Sequence, residues 1–148
     1  MKLSTIIVWL CLASPMSWAD ELAVSRLFSD EADVTHFADE GIAWNVFDSS
    51  FGSFPATDLL PATQVGFLRL PAGYRSDWHP APRLQYVMVL EGTVEVEAGD
   101  GERRLFNPGS VLLVADTQGK GHRTNTIGDK EVLLVWVPVP PESSTGNR

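Results

Sequence analysis

From residue 64 to residue 137 the chain is a succession of short apolar-rich segments, each closed by turn-forming residues. Residues 64–70 run into Pro71-Ala72-Gly73, and residues 83–90 end at Gly92. Residues 93–97 alternate Val94 and Val96 with Thr93, Glu95 and Glu97. A tight turn at Gly99-Asp100-Gly101 leads into 102–106, and Asn107-Pro108-Gly109 leads into 110–115. A loop ending at Gly119-Lys120-Gly121 precedes 122–126, and 132–137 is the last such segment. Side chains that alternate in and out with a period of two fit a strand with one buried face. No segment here sustains a period near 3.6, and strands recurring every 8 to 12 residues or so point to an all-β sandwich or barrel.

Upstream the pattern is less regular. Residues 20–39 are polar and acidic, and only 22–28 has the composition for a short helical turn or an arm. Residues 41–47 have strand composition. Residues 48–62, rich in Ser, Pro, Gly and Asp, read as a loop long enough to serve as a lid. Residues 83–90 are apolar on both faces, with Val87 and Val89 following Gln85 on one and Leu84, Tyr86, Met88 and Leu90 on the other. A strand coated on both sides is buried on both sides. The second face is expected to lie under the N-terminal segment or against another subunit, which makes a homodimer one compatible assembly.

The N-terminus changes the picture of where the chain works. Lys2, the apolar run 6–13 and the small residues of Ser17-Trp18-Ala19 form the pattern of a cleaved signal peptide over 1–19. The mature chain is then expected to start at Asp20 and to be exported, to the periplasm or beyond the cell. Ser14-Pro15 and Asp20-Glu21 interrupt the apolar run before the roughly 20 residues that a membrane span needs, so no stable membrane anchor is expected. The single cysteine, Cys11, falls in that peptide, which leaves the mature chain without a disulfide. The 148 residues hold 11 basic and 19 acidic side chains, and loss of Lys2 leaves 10 against 19, a formal charge of −9. A field of that sign repels phosphate backbones, so nucleic acid is not an expected partner. The remaining length suits one domain, with an arm, first strand and long loop over 20–63, a barrel core over 64–138 and a disordered tail over 139–148.

The chemistry concentrates between Gly73 and Gly92, where Gly73, His79, Ala81, Gln85 and Gly92 keep a fixed spacing. A second cluster runs from Pro108-Gly109 through the strand 111–114 to His122 and Asn125. The two stretches resemble the paired motifs of the cupin superfamily. Within it they are similar to a subgroup of small cupins carrying Trp-His-x-Ala-Pro before the Gln and Asp-Thr-x-Gly-Lys-Gly-His in the second motif. The resemblance covers about 64–138 and implies one jelly-roll β-barrel. It also implies that His79, Gln85 and His122 converge as a site for one divalent transition metal (Fe, Mn, Ni, Cu or Zn). Two ligand positions of the family motif differ here, since Ala81 stands for the second His and Gln85 for the Glu. The set therefore loses a nitrogen and a negative charge, and the alternative is a pocket with no metal, where the same three groups hydrogen-bond a small organic ligand.

Other residues carry two readings each. Trp78 suits a pocket wall or the core, Lys120 the pocket mouth, and Arg83, two residues before Gln85, an inward site for a ligand carboxylate or carbonyl. His36 reads as a surface or packing histidine, with an additional ligand role as the alternative. Asp116, Lys120 and Arg123 read as charge around a loop. No cysteine remains and no serine sits in a nucleophile turn, which argues against covalent hydrolase chemistry. Two functions fit this sequence: a metal-dependent enzyme of dioxygenase or isomerase type acting on a carbonyl or hydroxyl substrate, and a non-catalytic module binding a small molecule.

Overall fold

The structure, a computed structural model, describes residues 21–50 and 52–140. The expected signal peptide over 1–19 and the expected tail from 141 onward lie outside the described residues. The regular elements are β1 (Glu21–Ser29), β2 (Thr35–Ala43), β3 (Asn45–Ser49), β4 (Gly52–Ala56), β5 (Gly66–Leu70) and β6 (Gln85–Glu91). They continue as β7 (Thr93–Glu97), β8 (Arg103–Phe106), β9 (Val111–Val114), β10 (Arg123–Ile127) and β11 (Val132–Pro138). The all-β expectation is met, and each strand predicted from 64 onward lies within about two residues of an observed one.

The strands form a six-stranded sheet in the order β2-β1-β9-β6-β11-β5, a three-stranded sheet β10-β7-β8, and a separate β3-β4 hairpin. The core lies between the two larger sheets. Leu27, Val89, Leu112, Val114, Val132 and Leu134 from one meet Val94, Val96 and Phe106 from the other. β7 shows how the alternation works, because Val94 and Val96 enter that core while Thr93 and Glu95 are half-exposed. Glu97 departs from the alternation and is buried, its Oε2 held by Arg103 at 2.9 Å and Arg123 at 2.8 Å. Gly92 turns the chain from β6 into β7 at φ 75°, and a Cβ there would stand 2.8 Å from the carbonyl oxygen of Glu131. Only glycine meets both demands at low cost.

Three upstream expectations are corrected. Residues 22–28 are not a helical turn but part of β1, which pairs with β2 along its whole length and runs parallel to β9. Its buried residues, Val24 and Leu27, are three apart and look helical in sequence. They lie on opposite faces of the strand, and pairing with a distant strand outweighs the weak local preference. The strand expected over 41–47 is divided between β2, which begins at Thr35, and β3. The loop expected over 48–62 contains most of the β3-β4 hairpin, whose Val46, Phe47 and Phe54 are exposed. β1 and β2 extend the sheet that holds β6, beyond β9. On the second face of β6 Tyr86 and Met88 are half-buried and Leu90 is exposed.

Candidate functional site

A cavity of about 300 Å³ lies between the sheets. Most of its wall is aliphatic, from Leu27, Val87, Val89, Val96 and Leu112 among others, and its polar groups come from Tyr74, His79, Gln85, His122 and Thr124. The structure thus brings His79, Gln85 and His122 to one wall, as their spacing predicts.

The backbone explains the convergence. After the turn at 71–73, where the Tyr74 N–H donates to the Pro71 carbonyl, the chain runs antiparallel beside β10. Ser76 N–H donates to the Thr124 carbonyl at 2.9 Å, and Thr126 N–H to the Tyr74 carbonyl at 3.0 Å. His79 and His122 are direct partners, exchanging N–H···O=C bonds of 2.9 and 3.0 Å. Directly opposed residues of an antiparallel pair point to the same face, and the two imidazole centroids are 4.7 Å apart. Gln85 opens β6 between Val114 of β9 and Pro138 of β11, and it shares the inward face with Val87 and Val89.

Gly121 permits the close approach. Its φ is 74°, and a Cβ on it would stand 2.1 Å from the carbonyl oxygen of His79. The longer loop of the second motif therefore leaves His122 in register, 7% exposed and facing the cavity. That loop also supplies a group that the sequence reading took for solvated charge. Asp116 is 0% exposed, and its Oδ2 lies 2.7 Å from His122 Nδ1, while its Oδ1 has no hydrogen-bond partner among the described residues. The signal was the Asp116 to His122 spacing within one glycine-rich loop. It pairs a carboxylate with an imidazole only once the loop curls back through Gly119 and Gly121. His79 is held similarly, its Nδ1 2.9 Å from the backbone carbonyl of Asp77. The bond is to the backbone of Asp77 and not to its carboxylate.

Three further residues singled out in the sequence, Trp78, Lys120 and Arg83, do not line the cavity. Trp78 is not on the cavity wall. Lys120 Nζ lies 3.5 Å from its ring centroid and the Arg123 guanidinium 4.9 Å, so Trp78 is the platform for a cation–π cluster. Lys120 is exposed there. Arg83 is exposed too and borders a separate cleft of about 120 Å³ that it shares with Gln85 and Trp136. His36 takes no part in the cavity. Its Nδ1 lies 2.7 Å from Asp100 and its Nε2 3.0 Å from Asp30, and these two carboxylates raise its pKa above the ordinary 6.5. Asp30 and Asp100 are lowered below 3.8, each mainly by backbone N–H bonds and further by His36.

The donor set does not suit a tightly held dication. It offers two imidazoles and one neutral amide. Ala81, where the family motif has its second histidine, is 3% exposed and packed into the apolar core. Among the described residues no three His, Cys, Asp or Glu side chains group so as to hold a metal ion. Three-ligand metal sites draw on imidazole, thiolate or carboxylate, and here the third group is a neutral amide, a weaker ligand than any of these.

The cupin domain family model matches residues 66–138, which spans β5 to β11. The chain belongs to the cupin superfamily. No curated protein matches it by sequence. Solved structures similar to it include the Cupin_2 domain of an XRE family transcriptional regulator from Enterobacter cloacae, 22% identical over 53% of this chain and 81% of that one, with a TM-score of 0.40. The cupin domain of Cnp3 from Schizosaccharomyces pombe is 17% identical over 82% of this chain and 85% of its own, with a TM-score of 0.44. An RmlC-like cupin protein from Desulfovibrio desulfuricans is 17% identical over 66% and 83%, with a TM-score of 0.40.

Proposed function

We propose that this cupin is a binding protein whose barrel cavity takes a small, largely apolar organic molecule, oriented by His79, Gln85 and His122. The observation that carries the reading is an aliphatic cavity of about 300 Å³ with a few convergent polar side chains on its wall. That is the usual make-up of a small-molecule site, where apolar contact supplies affinity and a few polar groups fix orientation. No cationic side chain lines the cavity, and the Asp116 carboxylate stands directly behind His122. Both features weigh against an anionic ligand, because an unpaired charge entering an apolar cavity pays a large desolvation cost. Export of the mature chain belongs to the same proposal.

The test is a thermal-shift and NMR titration against small neutral aromatic and alicyclic compounds. Ligands that fit should raise Tm in a concentration-dependent way and shift resonances of the cavity wall. Val96→Phe and Leu112→Phe, which fill the cavity from opposite sheets, should remove both effects while leaving the protein folded. Binding that survives both substitutions would sink the proposal.

A further inference from the structure

Both imidazoles on the cavity wall are tied from behind at Nδ1. For His79 the partner is the carbonyl of Asp77 at 2.9 Å, and for His122 it is the carboxylate of Asp116 at 2.7 Å. A carbonyl or carboxylate oxygen only accepts, so each Nδ1 carries the hydrogen. In its neutral form each ring presents Nε2 as a lone pair. Neither Nε2 has a hydrogen-bond partner among the described residues. The tautomers are fixed by two independent contacts, one to backbone and one to a fully buried carboxylate.

The other polar groups on the wall are adaptable. The hydroxyls of Tyr74 and Thr124 rotate between donating and accepting, and the amide of Gln85 does both. Only the two imidazoles are committed, and both are committed as acceptors. Their ring centroids lie 4.7 Å apart against a mostly aliphatic surface. A ligand that brings an ether or another acceptor to this point leaves the lone pair of the buried His122 without a donor, whereas the exposed His79 can still meet water. A ligand that brings an O–H donates its one hydrogen to one of them. An unmet buried polar group costs more than a met one contributes, so the preference acts mainly as rejection of the wrong ligand.

Resting on the reading of the cavity as a ligand site, we infer that its ligand is a neutral hydroxyl compound, an alcohol or phenol on a small apolar body, whose O–H donates to Nε2 of the buried His122 beside His79. Asp116 and the Asp77 carbonyl are positioning groups that set the tautomers.

The test uses chelator-treated, isotope-labelled protein with phenol, anisole and toluene as probes of one ring and similar size. Imidazole ¹⁵N spectra at mildly alkaline pH should show both rings protonated at Nδ1 and bare at Nε2. Either ring found as the Nε2–H form would overturn the inference. Phenol should bind about tenfold tighter than anisole, the range expected when one buried hydrogen bond is met in one ligand and unmet in the other. That ratio should fall towards one in His122→Phe and change much less in His79→Phe. His122→Phe alone strands Asp116 in the interior and can fail to fold, so the decision is carried by His122→Phe combined with Asp116→Ala, which removes the stranded carboxylate. Equal binding of phenol, anisole and toluene would overturn the inference while leaving the ligand site intact. Failure of all three to bind would overturn both.

Discussion

At the scale of single residues, Gly121 and Asp116 decide whether the site exists. Gly121→Ala places a Cβ 2.1 Å from the His79 carbonyl oxygen at a φ of 74°, so the backbone pair between His79 and His122 has to open. The left-handed conformation alone costs an alanine about 1 kcal/mol, and the clash with backbone brings the expected loss above roughly 3 kcal/mol. Chemical denaturation measures it, and a loss under about 1 kcal/mol would show that the loop adapts. Asp116 behaves differently. Its Oδ1 is already without a partner, so the folded protein gains little from the second carboxylate oxygen. Asp116→Asn keeps the size and is expected to change stability by less than about 1 kcal/mol, because a typical hydrogen bond nets only that much. Ligand selectivity should nonetheless suffer as the His122 tautomer loosens. A large stability loss with selectivity intact would make Asp116 a purely structural residue.

At the scale of elements, the clearest device is the clamp that His36 makes between two turns. Asp30 belongs to the β1-β2 turn and Asp100 to the β7-β8 turn, so one imidazole joins the edge of the large sheet to the tip of the small one. Asp100 N–H also donates to the Thr35 carbonyl at 3.1 Å, and Ser29 Oγ to the Gln118 carbonyl at 3.0 Å, which ties the same end to the Asp116 loop. Because His36 has a raised pKa when folded, its contribution is fully present below 6.5 and is lost as pH rises through the folded value. Asp30 and Asp100 are lowered, so theirs is present above 3.8 and is lost as pH falls through the folded values. The clamp is therefore strongest between those limits. Wild-type stability is expected to decline from mildly acidic to mildly alkaline pH more steeply than that of His36→Gln. Parallel profiles, followed by denaturation at several pH values, would show that the clamp carries no pH dependence. The effect should be modest, since all three side chains are partly exposed and such pairs are screened.

At the scale of the whole molecule, stability should come from the two-sheet core and not from a metal. The wall offers two imidazoles and an amide, and Ala81 fills the place of a further nitrogen. Exhaustive chelation is expected to leave Tm unchanged within about 2 °C, whereas a metal bound to N but not to U would add to stability by mass action. A drop of 10 °C or so, restored by one transition metal, would reinstate the metal-dependent enzyme as the better reading. The charge of the chain sets a second expectation. With 19 acidic against 11 basic residues it should not be retained on phosphate-bearing polymers at physiological salt, and retention would point to a partner class that the acidic field disfavours. Export makes a third. N-terminal sequencing of the protein recovered outside the cytoplasm should begin at Asp20, and a cytoplasmic form retaining Met1 would refute it.

Much of the barrel is legible in the sequence because strand alternation is a local property. Val94 and Val96 face the core for the same reason that Thr93 and Glu95 do not, and the turn glycines mark where each strand stops. The spacing of Gly73, His79, Gln85 and Gly92, and the place of His122 after β9, likewise placed three polar groups on the cavity wall. What the sequence could not determine depends on which distant strands meet. β1 pairs with β2 along its whole length and is joined to the barrel only because β9, more than 80 residues away, lies on its other side. Nearness in sequence to His79, Gln85 and His122 leaves two readings open for Trp78, Lys120 and Arg83. The fold instead turns Lys120 and Arg123 onto the face of Trp78 and leaves Arg83 at the surface. The sequence brought His79 and His122 to the site, but which of their nitrogens faces the cavity was settled by Asp77 and Asp116, because a proton's position follows the nearest fixed acceptor and only the tertiary structure fixes it.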